Sequence, residues 1–208
     1  MGQEETMETE PLHLGRETFG RPEDRGRLPT RDEAEALLNE WVTNDRLKLH
    51  MRQLAALMEA WARDKLGLPK DQVELWALTG LLHDADWDKW PDRHGQIIIA
   101  WLEERHYDPD LIHGIAAHGW HHFGVTPVSD LDKMIFAFDE LSGFVHAVSL
   151  VRPEGYAAME VSSVKKKLKQ ASFAAQVNRQ DITDGLELTG LSLDDLCAFV
   201  IQVQQHVR

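Results

Sequence analysis

Apolar residues recur along most of this chain at spacings of three and four, the period of an amphipathic helix. No stretch alternates as a strand for long, and no Asn-Gly or Asp-Gly pair joins two β-rich runs; Asp184-Gly185 lies between helical stretches. The pattern predicts helices near 31–43, 45–66, 71–83, 93–105, 109–118, 129–149, 158–170, 179–189 and 192–206. Thr30 ahead of Asp32 and Glu33 marks the first start. Gly67-Leu68-Pro69 separates the second helix from the third, and Pro91, Pro109, Pro127 and Pro153 punctuate the rest. The expected fold is all-α, an irregular helical bundle with short connections. Residues 1–29 are polar, rich in Glu, Arg, Gly and Pro, and show no sustained period, so a flexible leader is expected there. A main domain over 30–152 and a C-terminal helical extension over 153–208, packed on the same domain, complete the expected organisation.

The informative positions are polar residues that fall on apolar stripes. Leu47, Leu54, Leu57 and Trp61 form one stripe, and His50 lies on it. Val73, Trp76, Ala77 and Gly80 line the next helix, which runs through Leu81-Leu82 straight into His83-Asp84. His94 begins the face of Ile97, Ile98 and Trp101; His118 continues the face of Leu111 and Ile115. In the long helix Asp139 falls among Ile135, Ser142 and His146. A buried carboxylate without a partner costs about several kcal/mol even after relaxation. Two carboxylates and four imidazoles converging inside a bundle need something cationic between them, and one or two divalent metal ions answer that need. His nitrogens and Asp oxygens suit Zn, Mn, Co, Ni and Fe. Adjacent residues on a helix point about 100° apart. His83 and Asp84 can therefore share a metal only near a helix end, which the stretch from Ala85 to Pro91 is placed to supply.

Composition narrows the partners. The chain has 208 residues, enough for a sizeable core, and a formal net charge of −13. So acidic a protein does not suit non-specific binding to nucleic acid or to anionic lipid, although a metal site can reverse the sign locally. The single cysteine, Cys197, excludes an intramolecular disulfide, and its neighbours Leu196, Phe199 and Val200 mark it as core filler. The opening MGQEETMETE has neither a basic n-region nor an apolar h-region, and no apolar run is long enough to span a bilayer, so a cytoplasmic protein is expected.

In order and context, His50, His83-Asp84 and Asp139 resemble the signature of the HD superfamily of metal-dependent phosphohydrolases: a His on one helix, an adjacent His-Asp pair on the next, and a distant Asp. The resemblance spans roughly 45–150. LLHDADWDKWPDRHGQ, IAAHGWHH and FDELSGFVHAVSLVRP look like a bacterial branch of HD-domain hydrolases, as does SVKKKLKQASFAAQVNR further on. It implies that His50, His83, Asp84 and Asp139 bind metal, that His94 and His118 belong to a second ion, and that Asp84 bridges the two. The spaced set His118-Gly119-Trp120-His121-His122 departs from relatives with adjacent histidines, and leaves His121 or His122 to bind metal or substrate or to cap the loop. Phe123-Gly124-Val125 stands where the cyclic-dinucleotide phosphodiesterase branch has Gly-Tyr-Pro, which argues against that substrate.

The expected reaction is hydrolysis of a phosphomonoester or phosphodiester, in a nucleotide or related small phosphorylated molecule, by attack of metal-bound water. Asp84 is central to it. Asp86 is a candidate to orient the water or to support a ligating histidine, and Asp88 is an acidic neighbour with the same two options. His122 is a further catalytic candidate. Lys165 and Lys166, in the one dense basic cluster, and Arg152 are candidates for substrate phosphate. Trp87, Trp90 and Trp120 are placed to wall a pocket or stack on a base. Two other readings stay open: an HD-fold oxygenase with a di-iron centre, and a non-catalytic, metal-stabilised regulatory module. Neither membrane nor nucleic acid is expected as a partner; a homo-oligomer is compatible with the sequence.

Overall fold

Polar caps set the helix starts. In the computed structural model, which describes residues 14–16, 18–19 and 25–207, Thr30 and Glu33 form a reciprocal capping box, Ser129 and Asp132 form another, and Asn44 and Asn178 cap two more helices. The described residues are all-α, with no strand among them. The helices are α1 (Arg31–Trp41), α2 (Asp45–Asp64), α3 (Lys70–Leu82), α4 (Gln96–Glu104), α5 (Pro109–Ala117), α6 (Trp120–Phe123), α7 (Asp130–Leu150), α8 (Val161–Leu168), α9 (Arg179–Thr189) and α10 (Leu193–Gln204). A single 3-10 turn, Pro91–Arg93, precedes α4. Each helix expected from periodicity is present within a few residues. The sequence reading missed α6, because four residues are too few to display a helical period.

The α2–α3 hairpin is the frame of the bundle, and α7 lies across both helices. Fully buried Leu54, Leu57, Met58, Leu78, Leu82, Phe138 and Phe144 fill the space between them. α5 packs between α3 and α7, α10 closes against α2 and α7, and α9 runs along α7. Gly80 permits a close approach of α3 to α2: a Cβ there would stand 2.8 Å from the backbone of Leu54 and Ala55. Gly185 does the same for α9 against α7, where a Cβ would meet the Ala137 Cα at 2.8 Å. Cys197 is fully buried, and burial pushes its thiol up to about 12, as suits a packing residue.

Most of the expected leader lies outside the described residues. Those described lie against the bundle: Leu14 N–H donates to the Phe123 carbonyl, Arg16 makes a paired contact with Glu103, and Phe19 is in the core. Arg27 pairs with Glu33 and bridges to Tyr107. No helix among the described residues is long and apolar enough to cross a membrane.

Candidate metal centre

His50 projects from the second turn of α2, and Asp139 from the middle of α7 across from it, 2.9 Å from His50 Nε2 to Asp139 Oδ1. α3 ends at Leu82, so His83 is its C-terminal cap and Asp84 begins a run of tight turns, with Ala85 N–H on the Leu82 carbonyl and Trp87 N–H on the Asp84 carbonyl. The helix end releases the pair from helical divergence, and both side chains reach one centre: His83 Nε2 lies 3.4 Å from Asp84 Oδ2 and 3.7 Å from Asp139 Oδ1. His94 leaves the 3-10 turn and His118 caps α5. Their Nε2 atoms are 3.3 Å apart, each 3.4 Å from Asp84 Oδ1.

Two trios result, His50–His83–Asp139 and Asp84–His94–His118, the ligand atoms of each lying within 4.8 Å of one another. Asp84 faces both, one oxygen to each side. The hydrogen bonds behind the rings fix what the front offers. A neutral imidazole has one N–H. His83 Nδ1 donates to the Gly80 carbonyl at 2.8 Å, His118 Nδ1 to the Ile115 carbonyl, and His94 Nδ1 to Asp86 Oδ1 at 2.8 Å. His50 Nδ1 faces Ser142 Oγ at 3.4 Å, whose hydroxyl donates to the Asp139 carbonyl. With the four imidazoles neutral, four Nε2 lone pairs and the Asp oxygens would therefore converge with no donor among them. Among the described residues, the buried His83 Nε2 has no hydrogen-bond partner. Acceptors so arranged repel unless a cation or shared protons lie between them. Two ligands of one tetrahedral zinc-sized ion stand about 3.4 Å apart, given bonds of about 2.1 Å. The residues present therefore fit one divalent ion per trio.

The electrostatics point the same way. Burial opposes ionisation of Asp84, but the surrounding His83, His118 and His94 outweigh it and hold the carboxyl well below the usual range. Asp139 is lowered too: burial raises it, and the His50 contact and nearby imidazoles prevail. Burial likewise opposes charging of His118, yet the Asp84 contact and charge hold it up at about 9; His50 is raised by Asp139 against its own burial. A site that demands positive charge this strongly attracts metal or, failing that, protons.

A cavity of about 1080 Å³ opens onto the centre, with His50, Asp84, His94, His118 and Asp139 on its lining. His122, His121 and Trp87 lie on its wall, as do Phe136, Glu140 and Asp181. Glu140 is raised to about 7, by burial first and then by the Asp139 charge, with the Asn178 N–H opposing. His121 closes the rim between α6 and α9, its Nε2 2.8 Å from Asp184 and 3.9 Å from Asp181.

Several residues named from the sequence are placed away from the cavity. Asp86 does not reach the cavity; it is fully buried behind His94, accepting His94 Nδ1–H and the N–H groups of Gly95 and Ile98, so of its two expected roles it takes ligand support. Lys165 lies away from the cavity and pairs with Asp194 at 2.7 Å, and the exposed Lys166 is not on the lining either, because α8 sits over α7 and α10 rather than over the centre. Arg152 is spent on the carbonyls of Gly155, Ala157 and Ala158, pinning the turn after α7. Asp88 caps the α1–α2 junction through the Thr43 and Asn44 N–H groups. Trp90 packs on Trp41, and Trp120 on Phe136 and His121, leaving Trp87 as the tryptophan on the cavity. His146 turns away too, to Tyr156 and Gln53.

Sequence reasoning missed Glu140, Phe136 and Asp181. Asp181 follows the Asn178 cap in the first turn of α9, where an acid is ordinary helix chemistry, so its type and spacing carried no signal. Comparison of the chain with protein-family models, curated proteins and solved structures gave no match.

Proposed function

We propose that this protein is a metal-dependent phosphoester hydrolase of the HD type, acting on a small phosphorylated molecule. The observation that carries the reading is the pair of three-ligand sets, the second of which contains Asp84 with its Oδ2 also 3.4 Å from His83 Nε2 of the first, every histidine being fixed from behind so that Nε2 faces inward. His50, His83 and Asp139 would hold one ion, and His94 and His118 a second, with Asp84 between them. A divalent ion in such a site supplies Lewis acidity, polarising a phosphoryl oxygen and making water a stronger acid. The chain's own residues do the rest. Asp86 and the Gly80 and Ile115 carbonyls hold the imidazoles in the ligating tautomer. Phe136 and Trp87 flank the organic part of the substrate. His122, on the cavity wall, would give a proton to the departing oxygen. A cytoplasmic location belongs to the same proposal.

Metal content of protein purified without chelator, measured beside Asp84→Ala, is the first test. Two equivalents of Mn, Zn, Co or Ni, lost in the variant, with phosphate released from a phosphoester panel, support the reading. Two irons with oxygen consumption would replace it by the di-iron oxygenase, for which the same six ligands serve. Absence of metal after reconstitution would leave a regulatory module as the account.

A further inference from the structure

The cavity above the metal centre is larger than a phosphoryl group needs, and its wall has an unusual charge. Asp92, Glu140 and Asp181 lie on it, and among the described residues no lysine or arginine does. Three basic side chains of the C-terminal half are committed elsewhere. Arg179 donates to the carbonyls of Leu168, Gln170, Phe173, Ala174 and Val177; Arg152 donates to its own turn; Lys165 is on Asp194. In the sequence, the residues outside the described set add only Arg21 and Arg208 as cations. Apart from His121 and His122, charge on a substrate beyond one phosphoryl group would therefore meet carboxylates rather than a lysine or arginine, which disfavours polyphosphates.

Asp181 shows what the wall favours instead. Its side chain is 12% exposed. Oδ2 accepts from Asn178 Nδ2 at 2.8 Å, while Oδ1 stands 3.9 Å from His121 Nε2, beyond hydrogen-bond reach. A largely buried carboxylate whose Oδ1 has no hydrogen bond among the described residues, on a cavity wall that also carries Phe136, can receive a cationic donor, and aromatic faces also attract an ammonium. Building on the hydrolase reading above, we infer that the substrate carries one phosphoryl group on a short organic body that ends in a protonated amine, received by Asp181.

The test compares 2-aminoethyl phosphate with propyl phosphate, which replaces the ammonium by a methyl group. Both, and ATP, are titrated calorimetrically in the cold into the manganese-loaded full-length protein, and phosphate release is assayed in the same samples. The amine is expected to bind about tenfold tighter than the alkyl phosphate, the worth of one partly desolvated charge contact, with ATP weakest. Asp181→Asn should bring the ratio of the first two close to unity. Equal binding by the wild type, tightest binding of ATP, or a ratio that Asp181→Asn leaves intact would overturn the inference; the wild-type comparison decides even if the variant does not fold. Preference for the amine without phosphate release would keep the inference and remove the hydrolase reading. Release from both compounds with equal binding would do the opposite.

Discussion

Replacing Asp86 by asparagine asks whether His94 is held as a ligand from behind. Asp86 is fully buried and receives three donors: His94 Nδ1–H at 2.8 Å and Gly95 N–H at 3.2 Å on Oδ1, and Ile98 N–H at 2.9 Å on Oδ2. Asparagine keeps the shape but only one acceptor oxygen. That oxygen serves best where two donors meet, so the amide NH2 is turned toward Ile98 N–H, and two donors face each other. A buried donor left unmet costs about 1–3 kcal/mol. At roughly 2–4 °C per kcal/mol for a chain of this size, Tm should fall by about 2–12 °C. Removing the carboxylate behind a ligating histidine should also weaken metal affinity by about 10–100-fold. Alanine would strand all three donors, about 3–9 kcal/mol, a large part of a total stability of about 5–15 kcal/mol, so asparagine is the more informative variant. Thermal unfolding and competition against a chromogenic chelator read the two effects separately. An asparagine variant that holds both ions at wild-type affinity would refute the assignment of His94 as a ligand oriented by Asp86.

His94→Ala should lose one of two ions and keep the other, because His94 serves only the second trio, whereas Asp84→Ala should weaken both; mass spectrometry of the metal content distinguishes them. In chelator-treated protein, His118 is raised to about 9 from an ordinary value near 6.5, so its contribution to stability is full below about 6.5 and is lost as pH rises toward 9. Asp84 is lowered, so its contribution is present above its ordinary 3.8 and is lost on acidification. Tm of the metal-free protein should therefore fall between pH 6.5 and 9, metal binding at pH 7 should release protons, and a buffer-independent binding enthalpy would contradict this. Gly80→Ala should force α2 and α3 apart, since its Cβ meets backbone at 2.8 Å, and cost about 1–3 kcal/mol in denaturant unfolding. Lys165→Ala and Lys166→Ala should leave kcat/KM within about twofold of wild type, Lys165 being in an exposed ion pair of about 0–1 kcal/mol.

What the sequence determined by itself was the set of longer helices and the inner candidate ligands. Both follow from local rules: a period of 3.6 residues, caps and prolines for the helices, and polar residues displaced onto apolar stripes for His50, His83, His94, His118 and Asp139. The tertiary structure decided everything that depends on which distant segments meet. Asp86 reads as an acidic neighbour of the His-Asp pair, and only the return of the chain at Gly95 and Ile98 turns it into the support of His94. Lys165, Lys166 and Arg152 look like phosphate ligands by charge alone, yet the way α8 sits on α7 and α10 carries the two lysines elsewhere, and Arg152 is spent on the carbonyls of its own turn. Asp181 and Glu140 give no signal along the chain; Glu140 comes to the cavity beside Asp139 on α7, and Asp181 on α9, which Gly185 lets settle against α7. Side-chain type and period are properties of the chain, whereas the surroundings that set a carboxylate's partner and charge arise only where separate helices pack together.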